Sequence, residues 1–194
     1  MKIKKEIKEW VLIVALFGGL YVSGYYKDVA SFLQRIIIET RLLQPSTNAS
    51  GFEQADYNMH LLDETGQSVD FNTFRQKTVF LNFWATWCPP CMAEMPDIQA
   101  LYNEVHSKDV HFVMISLDED FAKAIALKEK KGYTFPIYQL QSHRPQVLQS
   151  QSIPTTYVLS PQGRIIARRE GMAKYNTASF RNLLIKAAQT GKNL

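Results

Sequence analysis

The sequence predicts an α/β domain on a mixed sheet, preceded by an N-terminal transmembrane helix. Three observations carry that prediction. A charge-free apolar run follows a cluster of lysines at the start of the chain. Two strand–helix units then succeed one another, beginning at Thr78 and Val110. A β-hairpin pattern and a last helical stretch close the chain, an order typical of a sheet packed against helices. The 194 residues are 46% hydrophobic and 21% charged, enough for a sizeable core and unlike a disordered chain. The net charge of +4 is scattered, with no basic stripe interleaved with aromatics, so nucleic acid is not an expected partner.

Residues 1–9 form a basic N-terminus containing Lys2, Lys4, Lys5 and Lys8. Residues 10–26 follow as an apolar stretch of about 17 residues, the short edge of a spanning helix. Trp10 at one end and Tyr21, Tyr25 and Tyr26 at the other suit the two lipid–water interfaces. Lysines ahead of the span keep the N-terminus in the cytoplasm and send the remainder across. An uncleaved single-pass anchor in a lipid bilayer is the expectation, although Val22-Ser23-Gly24 also offers small residues to a signal peptidase. Residues 27–51 combine an amphipathic pattern, Val29, Phe32, Leu33, Ile36, Ile37 and Leu43, with a small polar linker from Pro45 to Gly51. The folded domain is expected over residues 52–194.

Within it, Tyr57–Leu62 reads as a short strand, Asp63-Glu64-Thr65-Gly66 as a turn and Ser68-Val69 as the return. Asp70 is placed to cap a short helix through Phe74. Thr78–Trp84 has no Gly or Pro and reads as a buried central strand. Pro89 and Pro90 suit the first turn of a helix, where no N–H is needed. That helix runs to about Val105, with Pro96 as an interior kink. Val110–Leu117 is the next strand, Asp118–Lys131 a helix with acids first and lysines last, and Gly132 its stop. Phe135–Tyr138 reads as a strand, Thr155–Leu159 and Arg164–Arg168 as a hairpin across Ser160-Pro161-Gln162-Gly163, and Thr177–Thr190 as the last helix.

The chain has two cysteines, Cys88 and Cys91, in the segment Trp87-Cys88-Pro89-Pro90-Cys91. A CxxC pair is a redox dithiol or half of a metal site. His60, His106, His111 and His143 supply no second half at zinc spacing, so no metal is expected. The thiolate is the nucleophile in disulfide exchange, and a free cysteine has a pKa of about 8.5. Cys88 lies where a strand ends and a helix begins, so unpaired N–H groups favour a negative sulfur there. Cys88 is therefore the attacking thiol. Cys91, one turn on, is the resolving thiol that displaces a bound client. Glu94 shares a helix face with Cys91 and is either a proton shuttle or an ordinary first-turn carboxylate. Pro154 in Ile153-Pro154-Thr155 is either a cis proline beside the thiols or a trans residue at a strand start. Trp84 reads as core, Trp87 as a client contact in preference to a cover for the disulfide, and Met92 and Met95 as helix-face packing.

The run Asn82-Phe83-Trp84-Ala85-Thr86-Trp87-Cys88-Pro89-Pro90-Cys91, with Glu94, Pro96 and Ile153-Pro154-Thr155-Thr156 behind it, resembles the TlpA/ResA-like membrane-anchored thiol–disulfide oxidoreductases. The resemblance spans roughly Tyr57 to Leu194. It implies a thioredoxin-like three-layer sandwich with a mixed central sheet. It also implies Cys88 as nucleophile, Cys91 as resolving thiol, Glu94 as the active-site carboxylate and Pro154 as the cis proline. Trp87, Pro90, Ile153 and Pro154 are the expected client-binding residues. No cofactor is expected beyond the Cys88–Cys91 disulfide. The expected partners are client protein disulfides, of the apocytochrome c or copper-site assembly kind, and a membrane electron donor. The catalytic domain is expected on the extracytoplasmic side of a bacterial cytoplasmic membrane, as a reductase. Cytosolic thioredoxins carry a buried Asp where Asn82 stands; Asn cannot titrate, which leaves Glu94 as the substitute. A thiol peroxidase would share the fold, but its PxxxTxxC setting is absent. A copper-delivery module would use Cys88, Cys91 and His143.

Overall fold

The structure, a computed structural model, describes residues 53–190 together with Lys8 and Trp10. The expected anchor, amphipathic helix and linker lie outside the described residues, apart from those two exposed helical positions. Among the described residues no helix is long and apolar enough to cross a membrane.

Among the described residues seven strands form one sheet: β1 (His60–Asp63), β2 (Ser68–Asp70), β3 (Thr78–Trp84), β4 (Val110–Ser116), β5 (Ile137–Leu140), β6 (Thr155–Leu159) and β7 (Ile165–Glu170). Their order is β2-β1-β5-β4-β3-β6-β7. β3 pairs in parallel with β4, and β4 with β5, while β6 runs antiparallel to β3 and to β7. This is the mixed sheet expected. All seven residues of β3 are buried, because helices or loops cover both of its faces. Phe80 and Trp84 point to one face, Val79, Leu81 and Phe83 to the other.

Among the described residues, the helices α1 (Pro89–Val105), α2 (Phe121–Lys131) and α3 (Ala178–Thr190) contribute Met95, Ile98, Phe121, Phe180 and Leu184 to the first face. The opposite layer is thinner. Among the described residues it holds no α-helix. Tyr57, Met59, the 3-10 turn Phe71–Phe74 and Leu148 close it. Asp70 caps that turn through Asn72 N–H at 2.9 Å, as expected.

Some element boundaries differ from the sequence reading. The first strand begins at His60, because Tyr57 and Met59 turn inward as buried packing residues before any ladder forms. β5 begins at Ile137, not Phe135: Phe135 is buried in the core, and Pro136 has no N–H for a ladder. The fourth strand ends at Ser116, and the helix after it starts at Phe121, not Asp118. Asp120 is its N-cap, accepting from Ala122 N–H at 3.1 Å. Asp118 lies outside the helix, its carboxylate engaged by Thr86 and Ser116. Gly132 ends α2 at φ 68°, a left-handed position that suits glycine. The β6–β7 hairpin turns where expected, with Gly163 at φ 78°.

Candidate active site

The site forms where β3 runs into α1. Ala85, Thr86 and Trp87 bridge the two, and Cys88 N–H closes that turn on Ala85 O at 3.2 Å. Cys88 is the N-cap of α1 with extended backbone, and Pro89 and Pro90 open the helix. A capping side chain accepts a bond from the first turn's free N–H groups. Here the acceptor is sulfur: Cys91 N–H points at Cys88 Sγ, 3.2 Å away. Cys88 and Cys91 are joined as a disulfide. Cys88 is 4% exposed and Cys91 is fully buried, so the Cys88 sulfur is the one open to an incoming thiol.

The Ile153–Pro154 peptide is cis. Ile153 O lies 3.8 Å from Cys88 Sγ, a packing contact, since a disulfide sulfur has no proton to donate. Trp87 is 56% exposed and stands beside the disulfide. Pro90, Met92 and Ile153 are half-buried around it, while Pro154, Trp84 and Met95 are buried. A cleft of about 580 Å3 opens next to Trp87, lined by Thr86, Leu117, Asp118, Glu119, Asp120 and Lys123.

Glu94 is fully buried behind the cysteines. Asn82 Nδ2 donates to its Oε1 at 3.0 Å, and Ala173 N–H donates to its Oε2 at 3.2 Å. Burial pushes the carboxyl up to about 8, and the nearby Asp97 adds to the rise. The two donors and Arg169 oppose it without cancelling it. Asn82 Nδ2 also donates to Thr156 Oγ1 at 2.9 Å, which in turn accepts from Tyr175 O–H at 2.7 Å. Burial, then the Glu94 charge, hold the Tyr175 phenol well above its ordinary range. Asp97 anchors the Tyr175 loop by accepting from Tyr175 N–H and Asn176 N–H at 2.6 and 2.8 Å.

The structure thus gathers Trp87, Cys88, Pro90, Cys91, Glu94, Ile153 and Pro154 at one end of the sheet. His143 is exposed on the loop after β5. Among the described residues no three His, Cys, Asp or Glu side chains group so as to hold a metal ion. Sequence reasoning did not find Ala173 or Tyr175, whose backbone or hydroxyl reaches the site from about 80 residues downstream of Glu94. Nothing in the CxxC segment signals them. It also did not find Asp118, read as an ordinary first-turn acid. Thr156 was visible inside the Ile153–Thr156 motif without a role.

The Redoxin family profile matches residues 45–184, well over half of the chain. The chain belongs to the Redoxin family. Within that family it is similar to "Thiol-disulfide oxidoreductase ResA" of Oceanobacillus iheyensis, 38% identical over 105 residues, 53% of this chain and 55% of that one. The protein of the same name from Halalkalibacterium halodurans is 32% identical over 136 residues, 68% of this chain and 76% of that one. This Redoxin protein is therefore a member of the ResA-like thiol–disulfide oxidoreductases. The stretch matched in the Oceanobacillus relative is little more than half that protein's length. Among solved structures, a thiol:disulfide interchange protein of the thioredoxin family from Chlorobium tepidum superposes with a TM-score of 0.57. That alignment covers 72% of this Redoxin chain and 99% of the other at 21% identity, a likeness of fold: the thioredoxin-like α/β sandwich.

Proposed function

We propose that this chain reduces disulfides in client proteins on the extracytoplasmic side of a bacterial membrane. The observation that carries the reading is the Cys88 sulfur capping α1 with Cys91 sealed behind it. In the reduced state the Cys91 N–H and the helix start favour a Cys88 thiolate. That thiolate attacks one sulfur of the client disulfide, forming a Cys88–client bond and releasing the other client sulfur as a thiolate. Cys91 then gives up its proton and attacks Cys88 Sγ. The Cys88–Cys91 disulfide forms and the second client thiolate leaves. The client has gained two electrons and the dithiol has lost them.

Glu94 is the base for the Cys91 proton. A carboxyl ionising near 8 sits close to the working pH, where general acid–base transfer is efficient. In the return half-reaction a thiolate of the membrane donor dithiol attacks Cys88, and Cys91 leaves and recovers its proton from Glu94; the donor's second thiolate then attacks the donor sulfur bound to Cys88, forming the donor disulfide and releasing the Cys88 thiolate. Trp87, Pro90 and Ile153 form the apolar rim on which the client chain lies, with Pro154 beneath it. The lysines of residues 1–9 and the apolar stretch 10–26 support a single-pass anchor holding the domain near such a donor.

The reduction potential of the Cys88–Cys91 pair tests the direction. A reductase requires a value near that of thioredoxin, about −270 mV; one near about −120 mV, as for a strong oxidant, would sink the claim. Trapping identifies the client. Cys91→Ser removes the resolving thiol, so a mixed disulfide through Cys88 accumulates and mass spectrometry names its partner.

A further inference from the structure

We propose that Asp118 is a positioning residue for Cys88: through Thr86 it anchors the turn that delivers the sulfur to the start of α1. The inference rests on Cys88 being the attacking thiol.

Three residues link the end of β3 to Cys88, and the residues just after β4 hold this stretch at Trp84, the last residue of β3, and at Thr86. Leu117 N–H donates to Trp84 O at 2.8 Å. The Asp118 carboxylate holds Thr86. Thr86 N–H donates to Oδ2 at 2.9 Å, and the Thr86 hydroxyl donates to Oδ1 at 2.5 Å. Hydrogen bonds to a carboxylate are short and about twice as strong as neutral ones. The carboxylate is itself fixed: Ser116 O–H donates to Oδ2 at 2.8 Å, and Asp118 N–H donates back to Ser116 Oγ at 3.1 Å. Asp118 is 5% exposed and Ser116 1%, so water does not replace these bonds cheaply.

The consequence falls on sulfur. The turn closed by Cys88 N–H on Ala85 O brackets Thr86 and Trp87. If Thr86 is released, Cys88 loses its register with the Cys91 N–H that favours the thiolate. A merely structural Asp118 would alter the melting temperature and leave Cys88 ionisation where it was. A carboxylate acting through its charge would disfavour the thiolate, so its removal would make Cys88 more acidic. Positioning gives the opposite sign. The other titratable or charged groups around Cys88 are Cys91 and Glu94 behind it and Glu119, Asp120 and Lys123 along the cleft beside Trp87, and none is changed in the test.

The experiment is the pH dependence of iodoacetamide alkylation of Cys88 in the reduced chain, read at that residue by peptide mass spectrometry. Thr86→Val is expected to raise the Cys88 pKa enough for a roughly tenfold loss of thiolate below the pKa. Asp118→Asn raises it by less, because a nearby negative charge goes too. Thr86→Ser, which keeps both donors, titrates with the parent protein. Should Thr86→Val not fold, Thr86→Ala carries the same expectation. A parent-like titration in Thr86→Val, or a Cys88 in Asp118→Asn as acidic as the parent's or more so, overturns the proposal alone. A parent Cys88 that ionises near about 8.5 overturns both this inference and the nucleophile assignment beneath it.

Discussion

Glu94 is a carboxyl group sealed from water, with a donor on each oxygen and a preferred ionisation near 8. That environment has a thermodynamic signature. Unfolded, the group ionises near its ordinary 4.5; folded, near about 8. Between those values the folded state holds the extra proton, so its contribution is complete below about 4.5 and is lost as pH rises towards 8. Every tenfold gain in proton affinity on folding corresponds to about 1.4 kcal/mol. Melting curves of the oxidised protein should therefore show the melting temperature falling from pH 5 to 9. Glu94→Gln should flatten that decline; an equal decline in the variant would remove Glu94 as its source. If Glu94 is the base proposed for Cys91, the same substitution removes it. In stopped-flow mixing with a client disulfide, the resolving step should slow by about 10²-fold while formation of the mixed disulfide is nearly unchanged. Trp87 belongs to the same scale. More than half exposed, it contributes little to the core, so Trp87→Ala should alter stability by about 0.5 kcal/mol or less. If the client lies on Trp87 as proposed, the client KM should rise in this variant.

At the scale of elements, the local rules account for most of what formed. β3 was legible because seven consecutive residues with no Gly or Pro fit a strand buried on both faces. α1 was legible from Pro89-Pro90 at its start, and it tolerates Pro96 inside. The boundaries that moved did so where a side chain had a better partner elsewhere. Asp118 stands beside two other acids, and its position alone gives no reason to exclude it from the helix; the Thr86 donors across the sheet end exclude it. Asp120 does the capping instead. Asp120→Ala should cost about 1 kcal/mol in chemical denaturation without raising the Cys88 pKa, which separates the helix cap from the clamp two residues earlier.

For the whole molecule, the sheet divides two cores of unequal construction. Among the described residues three helices cover the face that carries the cysteines, and their packing around Phe80, Trp84 and Phe112 goes with a fully buried Glu94. The other face relies on aromatic side chains from a 3-10 turn and an extended segment, with Phe71 stacked on Tyr57 at 5.1 Å. If that thin layer is a true half of the core, Phe71→Ala should destabilise the domain by about 3–5 kcal/mol. Equilibrium denaturation measures this, and a loss under about 1 kcal/mol would show that the layer contributes little.

By itself the sequence determined the redox pair, its place at a helix start, the order of strands and helices, and the face that Glu94 shares with Cys91. These are properties of spacing along the chain: a CxxC is one helical turn, and a Pro-Pro pair marks where that turn can begin. The tertiary structure alone decided what Glu94 is chemically and what holds Cys88 in register. Desolvation depends on what packs around a group, and the neighbours that matter, Asn82, Thr156, Ala173 and Tyr175, come from three distant segments. The Asp118–Thr86 contact spans 32 residues of sequence and exists because two parallel strands end side by side.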